Sequence, residues 1–397
     1  IEVRTRHEVT GIDRAAREIT VKDLDADDSY RMGYDKLILA PGADPLVPPL
    51  PGIEAAGVFT LRNLEDTDRI AEAMPDAQRA VVVGGGYVGL ETAEQFRRRG
   101  LQVALVEMQS QVLPLHDPEM VEPLHRQLEF NGVRLELGNG IASVEEQHGR
   151  AVAVVLSDGT RLPADLVLLA IGVRPNVALA EAAGIELGES RGIATDEYMR
   201  TNDPDIYAVG DAAEYTYGPT GAKQRVALAG PANRTGRLAG QHAVTGSSRP
   251  APAAWGTSIV RVFGTSAGMT GLSLKAAKAA GYEACATHVI ANNHAGYYPG
   301  AQAMIVKLVF EEGTGVVLGA QACGGEGVDK RLDVISTVTH FGGTVHDIVQ
   351  LDLAYAPPFG SAKDPVHMAA FAAQNHLDGL APVVQPDVDL CPYQVVD

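Results

Sequence analysis

Residues Gly84-Gly85-Gly86-Tyr87-Val88-Gly89 carry the spacing that decides the fold. They follow the apolar run Arg79-Ala80-Val81-Val82-Val83, which reads as a strand. They precede Leu90 to Arg99, which reads as a helix with acidic residues early and three arginines at its end. That charge order suits the helix macrodipole. Gln102-Val103-Ala104-Leu105-Val106-Glu107 reads as the next strand. Strand, GxGxxG, helix and strand in this order make the dinucleotide-binding unit of a parallel sheet. Gly84 permits the tight turn. Gly86 lets backbone N–H groups reach a pyrophosphate at the helix N-terminus, and Gly89 lets helix and strand pack closely. Glu107 stands 18 residues past Gly89, where an acid accepts hydrogen bonds from an adenosine ribose diol. It would repel a 2′-phosphate, so NADH is expected over NADPH. The plain alternative is a glycine turn followed by a solvated glutamate.

Upstream, Glu8-Val9-Thr10-Gly11-Ile12 and Glu18-Ile19-Thr20-Val21 show the period of two of strands. Tyr34 to Ala40 reads as a buried strand ending in Pro41-Gly42, and Pro45, Pro48, Pro49 and Pro51 predict an extended linker over 45–52. Downstream, Asp117 to Asn131 is a helix closed by Gly132, Val133 to Leu162 gives three meander strands, and Leu166 to Ile171 is a second buried strand. Pro204 to Asp211 is another strand with a sharp end at Gly210-Asp211, and a helix runs from near Gly230-Pro231 to about Ala243. Residues 253–378 alternate strands and helices without a phosphate loop. Strands that stop at Gly42, Gly84, Gly172 and Gly210 suggest two nucleotide sites, one interrupted by the other.

The chain has 397 residues, enough for two or three domains. With 46% hydrophobic and 21% charged residues, it can bury a core, which excludes bulk disorder. The net charge of −18 argues against a protein that tracks nucleic-acid duplexes, and means that an anionic ligand needs a local basic pocket. Cys285, Cys323 and Cys391 form no CxxC pair. That excludes a disulfide framework and a thiolate zinc site, and fits a reducing, cytoplasmic compartment. No apolar run approaches 18 residues, so no membrane span is expected. The chain opens on Ile1-Glu2-Val3 and closes on Tyr393-Gln394-Val395-Val396-Asp397, both strand-like, and both ends read as cut from a longer protein.

Taken together, these motifs resemble the flavin- and pyridine-nucleotide-dependent disulfide oxidoreductases, in the branch of coenzyme A disulfide reductases and NADH oxidases. The matching residues are Leu37 to Ala43, Gly84 to Glu91, Gly172-Val173-Arg174-Pro175-Asn176 and Ile206 to Asp211. Gly230 to Arg234, Gly296-Tyr297-Tyr298-Pro299-Gly300, Gly327 to Arg331 and Leu353 to Pro358 match as well. The resemblance covers nearly the whole chain. It implies an α/β fold in which a Rossmann-like NAD domain is inserted in a split FAD domain, followed by an α+β dimerisation domain. The expected boundaries are 1–75 and 194–250 for a partial FAD domain, 76–193 for the NAD domain, 251–378 for dimerisation and 379–397 for a linker. Asp387 to Asp397 resembles the opening strand of a rhodanese domain.

The resemblance also implies roles. Ala40, Gly42, Gly210 and Asp211 would line the FAD site, with Asp211 bonded to the ribityl chain. Tyr87 would gate hydride transfer between NAD and the flavin. The helix entered at Leu228-Ala229 would aim its N-terminus at the flavin pyrimidine edge, stabilising the anionic reduced form. Tyr297 and Tyr355 would stand at the active site, where a phenol can protonate or hydrogen-bond a leaving thiolate. Arg4, Asn233 and Lys363 match coenzyme A contacts. From the residues alone, Tyr297-Tyr298-Pro299-Gly300 reads as an aromatic turn packing a sheet edge, and Arg4, Asn233 and Lys363 read as solvated surface residues. His294, His340, His346 and His367 show no metal-ligand spacing, so no metal is expected, and Cys323 reads as a small buried residue.

This sequence departs from the family in two ways: it has no second GxGxxG for the FAD pyrophosphate and no cysteine before Cys285. The redox cysteine is therefore expected upstream of Ile1, and the chain as given is expected to hold FAD weakly and to be inactive alone. The expected activity of the parent is NAD(P)H-driven reduction of a coenzyme A disulfide, persulfide or polysulfide through FAD and that cysteine, in a homodimer. An NADH oxidase or peroxidase is the alternative, and a silent nucleotide-binding fragment is the alternative of another class.

Overall fold

The computed structural model describes residues 1–386. The chain divides into two compact units: Ile1–Asp44 with Val173–Gly256, and Pro45–Gly172 with the described residues from Thr257 onward.

In the second unit, a five-stranded parallel sheet has the order Val58–Thr60, Leu166–Leu169, Arg79–Val83, Gln102–Glu107, Val133–Leu137. Successive side chains of a strand point to opposite faces. Val82, Leu105 and Leu168 pack with Leu90, Ala93 and Phe96 of the helix Tyr87–Arg98 and with Leu124 and Leu128 of the helix Pro118–Phe130. Val81, Val83, Val106, Val167 and Leu169 pack instead with Val144, Val154, Leu156 and Leu162 of an antiparallel meander. Both faces are covered, which is why these strands read as unbroken apolar runs.

The same unit holds a five-stranded antiparallel sheet, ordered Ser258–Val262, Thr265–Gly271, Val317–Gly324, Ala303–Glu311, Ala284–Asn292. The helices Val328–His340 and Pro365–Leu377 bury Leu332, Ile335, Val366 and Ala370 against Val306, Leu308 and Phe310. The first unit pairs Leu37–Leu39 in parallel with Ile206–Ala208, beside a three-stranded antiparallel sheet and the helix Ala229–Thr245. Tyr207 sits in its core, with its hydroxyl 2.8 Å from His242 Nδ1.

Four local expectations change. The fingerprint helix begins at Tyr87 rather than Leu90, because the glycine motif supplies its first turn. Val133–Leu137 is the last strand of the parallel sheet, and the three-stranded meander is Ile141–Gln147, Arg150–Leu156 and Arg161–Pro163. Alternating apolar residues look the same whether a strand's neighbour is parallel or antiparallel. Asp28–Gly33 adds a largely polar strand that hydrophobic patterning does not mark. The strand expected over Tyr34–Ala40 is only Leu37–Leu39, and its central Ile38 is exposed while Leu39, on the opposite face, is buried. The segment compared with a rhodanese strand, 387–397, lies outside the described residues.

Candidate nucleotide and disulfide site

The nucleotide loop forms where the sheet demands it. Gly84 takes φ +113, and a side chain there would collide with the Ala170 carbonyl of the neighbouring strand. Gly89 lies against the Gly84 carbonyl, so any Cβ there would force helix and loop apart. Around Gly86 the space is open, with nothing within 4 Å of a Cβ position. Gly86 is also the N-cap residue of Tyr87–Arg98 and offers no side chain to the first-turn N–H groups. An open helix N-terminus free of a side-chain cap fits a pyrophosphate.

Glu107 closes this site from the adjacent strand. Its Oε2 accepts the Gly85 N–H at 2.7 Å and its Oε1 accepts the Gln109 N–H at 2.8 Å. Each carboxylate oxygen keeps a second lone pair for a ribose hydroxyl. Gly172, at φ +118, ends the stretch after Leu166–Leu169 and accepts the Leu46 N–H at 2.9 Å. Tyr87, the first residue of the helix, is held by a bond of 2.5 Å between its hydroxyl and Ser258 Oγ. Burial pushes its phenol above the ordinary value, and Ser258 opposes the rise.

In the first unit, Leu39 is buried and its carbonyl accepts the Val209 N–H at 2.9 Å, so the ends of the two parallel strands lie side by side. This places Ala40 and Gly42 after one strand, and Gly210 and half-buried Asp211 in a single 3-10 turn after the other. Leu228 is the extended N-cap of Ala229–Thr245, and that helix start also has no side-chain cap. These polar, uncapped groups fit the carbonyl-rich edge of a flavin. Asn233 is exposed and donates to its own helix at the Ala229 carbonyl, 2.9 Å away. Arg4 is engaged: it donates to Glu2 and to the Tyr30 hydroxyl, each at 2.7 Å.

In the second unit, Tyr297 and Tyr355 come together. Hydrogen bonding with Tyr355 is the first cause raising the Tyr297 phenol above its ordinary value, and both rings are exposed. Lys363 is exposed on the loop before Pro365–Leu377. Among the described residues, neither cysteine is prepared as a thiolate nucleophile. Burial pushes Cys323 up to about 12 and raises Cys285 as well. No group of three or more His, Cys, Asp or Glu able to hold a metal occurs among the described residues, and no helix there is long and apolar enough to cross a membrane.

Sequence reasoning missed the long-range supports of these residues. Ser258 lies 171 positions from Tyr87. Buried Arg331 donates to Asp364 and to the Asn293 carbonyl, steadying the stretch before Tyr297. Buried Lys307 bridges Asp117 and Glu119 and joins the helix Pro118–Phe130 to the antiparallel sheet. Burial would push the Glu119 carboxyl up, but hydrogen bonds from His288 and Lys307 hold it at about 2. None of these pairs has a fixed sequence spacing.

The description "Pyridine nucleotide-disulphide oxidoreductase" matches residues 1–236, and its "dimerisation domain" matches 257–365. An "NADH oxidase" of Enterococcus faecalis is 31% identical over 377 residues, covering 94% of this chain and 84% of that protein. A "Coenzyme A disulfide reductase" of Staphylococcus haemolyticus is 30% identical, covering 94% of this chain and 83% of its own length. The solved structure of "a NAD-Dependent Persulfide Reductase from A. fulgidus" superposes with a TM-score of 0.93 at 38% identity, covering 96% of this chain and 70% of that one. With the nucleotide loop, the split first unit and the matched dimerisation segment, these findings assign the chain to the pyridine nucleotide-disulphide oxidoreductases, enzymes that work with FAD and NAD(P)H.

Proposed function

We propose that the chain serves NADH-driven reduction of a coenzyme A disulfide, persulfide or polysulfide in a homodimer, in the reducing setting of the cytoplasm that its free thiols suit. When bound, FAD would accept hydride from the nicotinamide and pass the electron pair to sulfur. The chain's own residues bind and orient. Gly84, Gly86 and Gly89 shape the pyrophosphate seat, Gly172 borders it, and Glu107 selects the unphosphorylated ribose. Ala40, Gly42, Gly210 and Asp211 hold the flavin side, and the helix start at Leu228-Ala229 favours negative charge beside it. Burial raises both Cys285 and Cys323, which works against either as the attacking sulfur.

The observation that carries this choice is the meeting of Tyr297 with Tyr355. A phenol pair can hand a proton to a departing thiolate while the second hydroxyl holds the first in place. Exposed Lys363 supplies a cation for coenzyme A phosphates in an otherwise acidic chain. In the first unit, Arg4 would be available to a phosphate only by exchanging Glu2 and Tyr30, and Asn233 only by releasing Ala229. The similarity to an NADH oxidase makes oxygen the competing acceptor.

Acceptor competition in the FAD-loaded parent enzyme, rather than in this chain alone, tests the proposal. NADH oxidation without oxygen should start on adding coenzyme A disulfide, and Tyr297→Phe or Tyr355→Phe should slow it at least tenfold while sparing any oxygen-dependent oxidation. Turnover that needs oxygen and ignores the disulfide would assign the oxidase function instead.

A further inference from the structure

We propose that Ser258 is a positioning residue that pins Tyr87 and thereby keeps the nucleotide seat open; this rests on the nucleotide reading of the glycine loop. The hydroxyl pair stands at 2.5 Å and joins the first residue of the fingerprint helix to the first residue of Ser258–Val262, a strand of the antiparallel sheet. It is not an isolated contact. The turn that follows this strand grips the same region, since the Phe263 N–H donates to Glu94 at 3.0 Å and the Phe263 carbonyl accepts from Gln127 Nε2 at 2.9 Å. Phe263 takes φ +47, a left-handed conformation costly for a bulky residue, which fixes the turn in one shape. The strand therefore approaches the helix from a set position, and Ser258 meets Tyr87 without adjustment.

The consequence follows from helix geometry. Side chains on a helix tilt toward its N-terminus, so a freed ring at the first position can swing over the exposed N–H groups. Beside Tyr87, Gly86 leaves open space into which such a ring could turn. A pinned ring cannot compete for that space. The Ser258 hydroxyl would thus set nucleotide affinity without touching the nucleotide.

Calorimetric titration of the full chain with NADH tests this. Ser258→Ala and Tyr87→Phe should each weaken binding about three- to tenfold, the worth of one neutral hydrogen bond. The double variant should bind like either single one, because both remove the same interaction. Ser258→Thr, which keeps a hydroxyl, should restore affinity to within about twofold of the parent. Unchanged or tighter binding in Ser258→Ala, additive losses, or failure of Ser258→Thr to restore would each overturn the proposal. An unsubstituted chain that binds no NADH would overturn the nucleotide reading itself, and the two failures are thereby told apart.

Discussion

Glu107 accepts the Gly85 N–H at 2.7 Å, so the acid at the end of one strand fastens the glycine loop at the end of its neighbour. Glu107 thus shapes the loop, and on the function proposed above its negative charge would also face a 2′-phosphate. Substitutions can separate the two roles.

NADH should bind at least tenfold better than NADPH, which corresponds to about 1.4 kcal/mol. Glu107→Gln keeps an acceptor oxygen for Gly85 and loses the charge. It should narrow the gap by improving NADPH while leaving NADH within about threefold. Glu107→Ala should also weaken NADH, because Gly85 and Gln109 lose their shared acceptor. Fluorescence titration of both cofactors reads all three values, and equal affinities in the parent would dismiss the charge argument.

The fingerprint glycines should separate folding from binding. Gly86→Ala enters open space, so the melting temperature should hold while NADH affinity falls about tenfold or more, a methyl group now occupying the pyrophosphate seat. Gly89→Ala meets the Gly84 carbonyl and should destabilise the fold by about 1–3 kcal/mol, as overpacking does. Denaturant melts beside cofactor titrations distinguish the two. The loop was legible in the sequence because its function lies in local backbone geometry. Spacing alone marked Gly84, Gly86, Gly89 and Glu107. Ser258, Arg331 and Lys307 were not legible, because each acts on a partner more than thirty positions away and serine, arginine and lysine carry no signal of burial. Val133–Leu137 shows the same limit at the level of the fold: its alternation announces a strand and leaves the neighbour unnamed.

Acid should weaken the fold through His116. The ring is buried. Burial pushes it down to about 4 from 6.5, against the opposing pull of Asp117 and of backbone hydrogen bonding at Gly268 and Leu113. Its folded pKa lies below its unfolded one, so the unfolded chain takes up the proton first. The contribution is intact above about pH 6.5 and is lost as pH falls toward 4, at a cost of about 3 kcal/mol. Urea melts across that window should show the loss, and His116→Leu should flatten it. A pH slope unchanged by the substitution would move the effect to other groups.

Arg331→Met should leave Asp364 buried without its cation and cost about 3–5 kcal/mol. Arg331 also holds the Asn293 carbonyl at 2.6 Å, and the Asn293 side chain accepts the Gln302 N–H at 2.9 Å. The loop that carries Tyr297 runs between those two anchors. The variant should therefore show faster proteolysis within 293–302 as well as a lower melting temperature. Arg331→Lys keeps charge but not the fork of donors, and should recover only part of the loss.

Tyr355→Phe should bring the Tyr297 phenol back down toward its ordinary value near 10, because hydrogen bonding with Tyr355 is the first cause of its rise. An ultraviolet difference titration against the parent reads the shift. The pairing within one chain leaves open which flavin site the two phenols serve, and subunit mixing decides it. The matched dimerisation segment spans 257–365 and contains both tyrosines, while the nucleotide loop lies outside it. In a two-fold dimer each subunit offers the same surface to the other, and strongly exposed Tyr297, Phe341 and Phe359 give this segment apolar area to cover. Mixing strongly slowed Tyr355→Phe subunits with inactive Gly86→Val subunits then gives opposite outcomes for the two arrangements. If the phenols reach the partner's site, the mixed dimer gathers both lesions in one site and leaves the other whole. After random exchange about half the dimers are mixed, each with one working site, so activity should return to about a quarter of the parent value. If the phenols serve their own subunit's site, each site of the mixed dimer keeps one lesion and no activity returns. Recovery by exchange would therefore make the dimer a condition of catalysis.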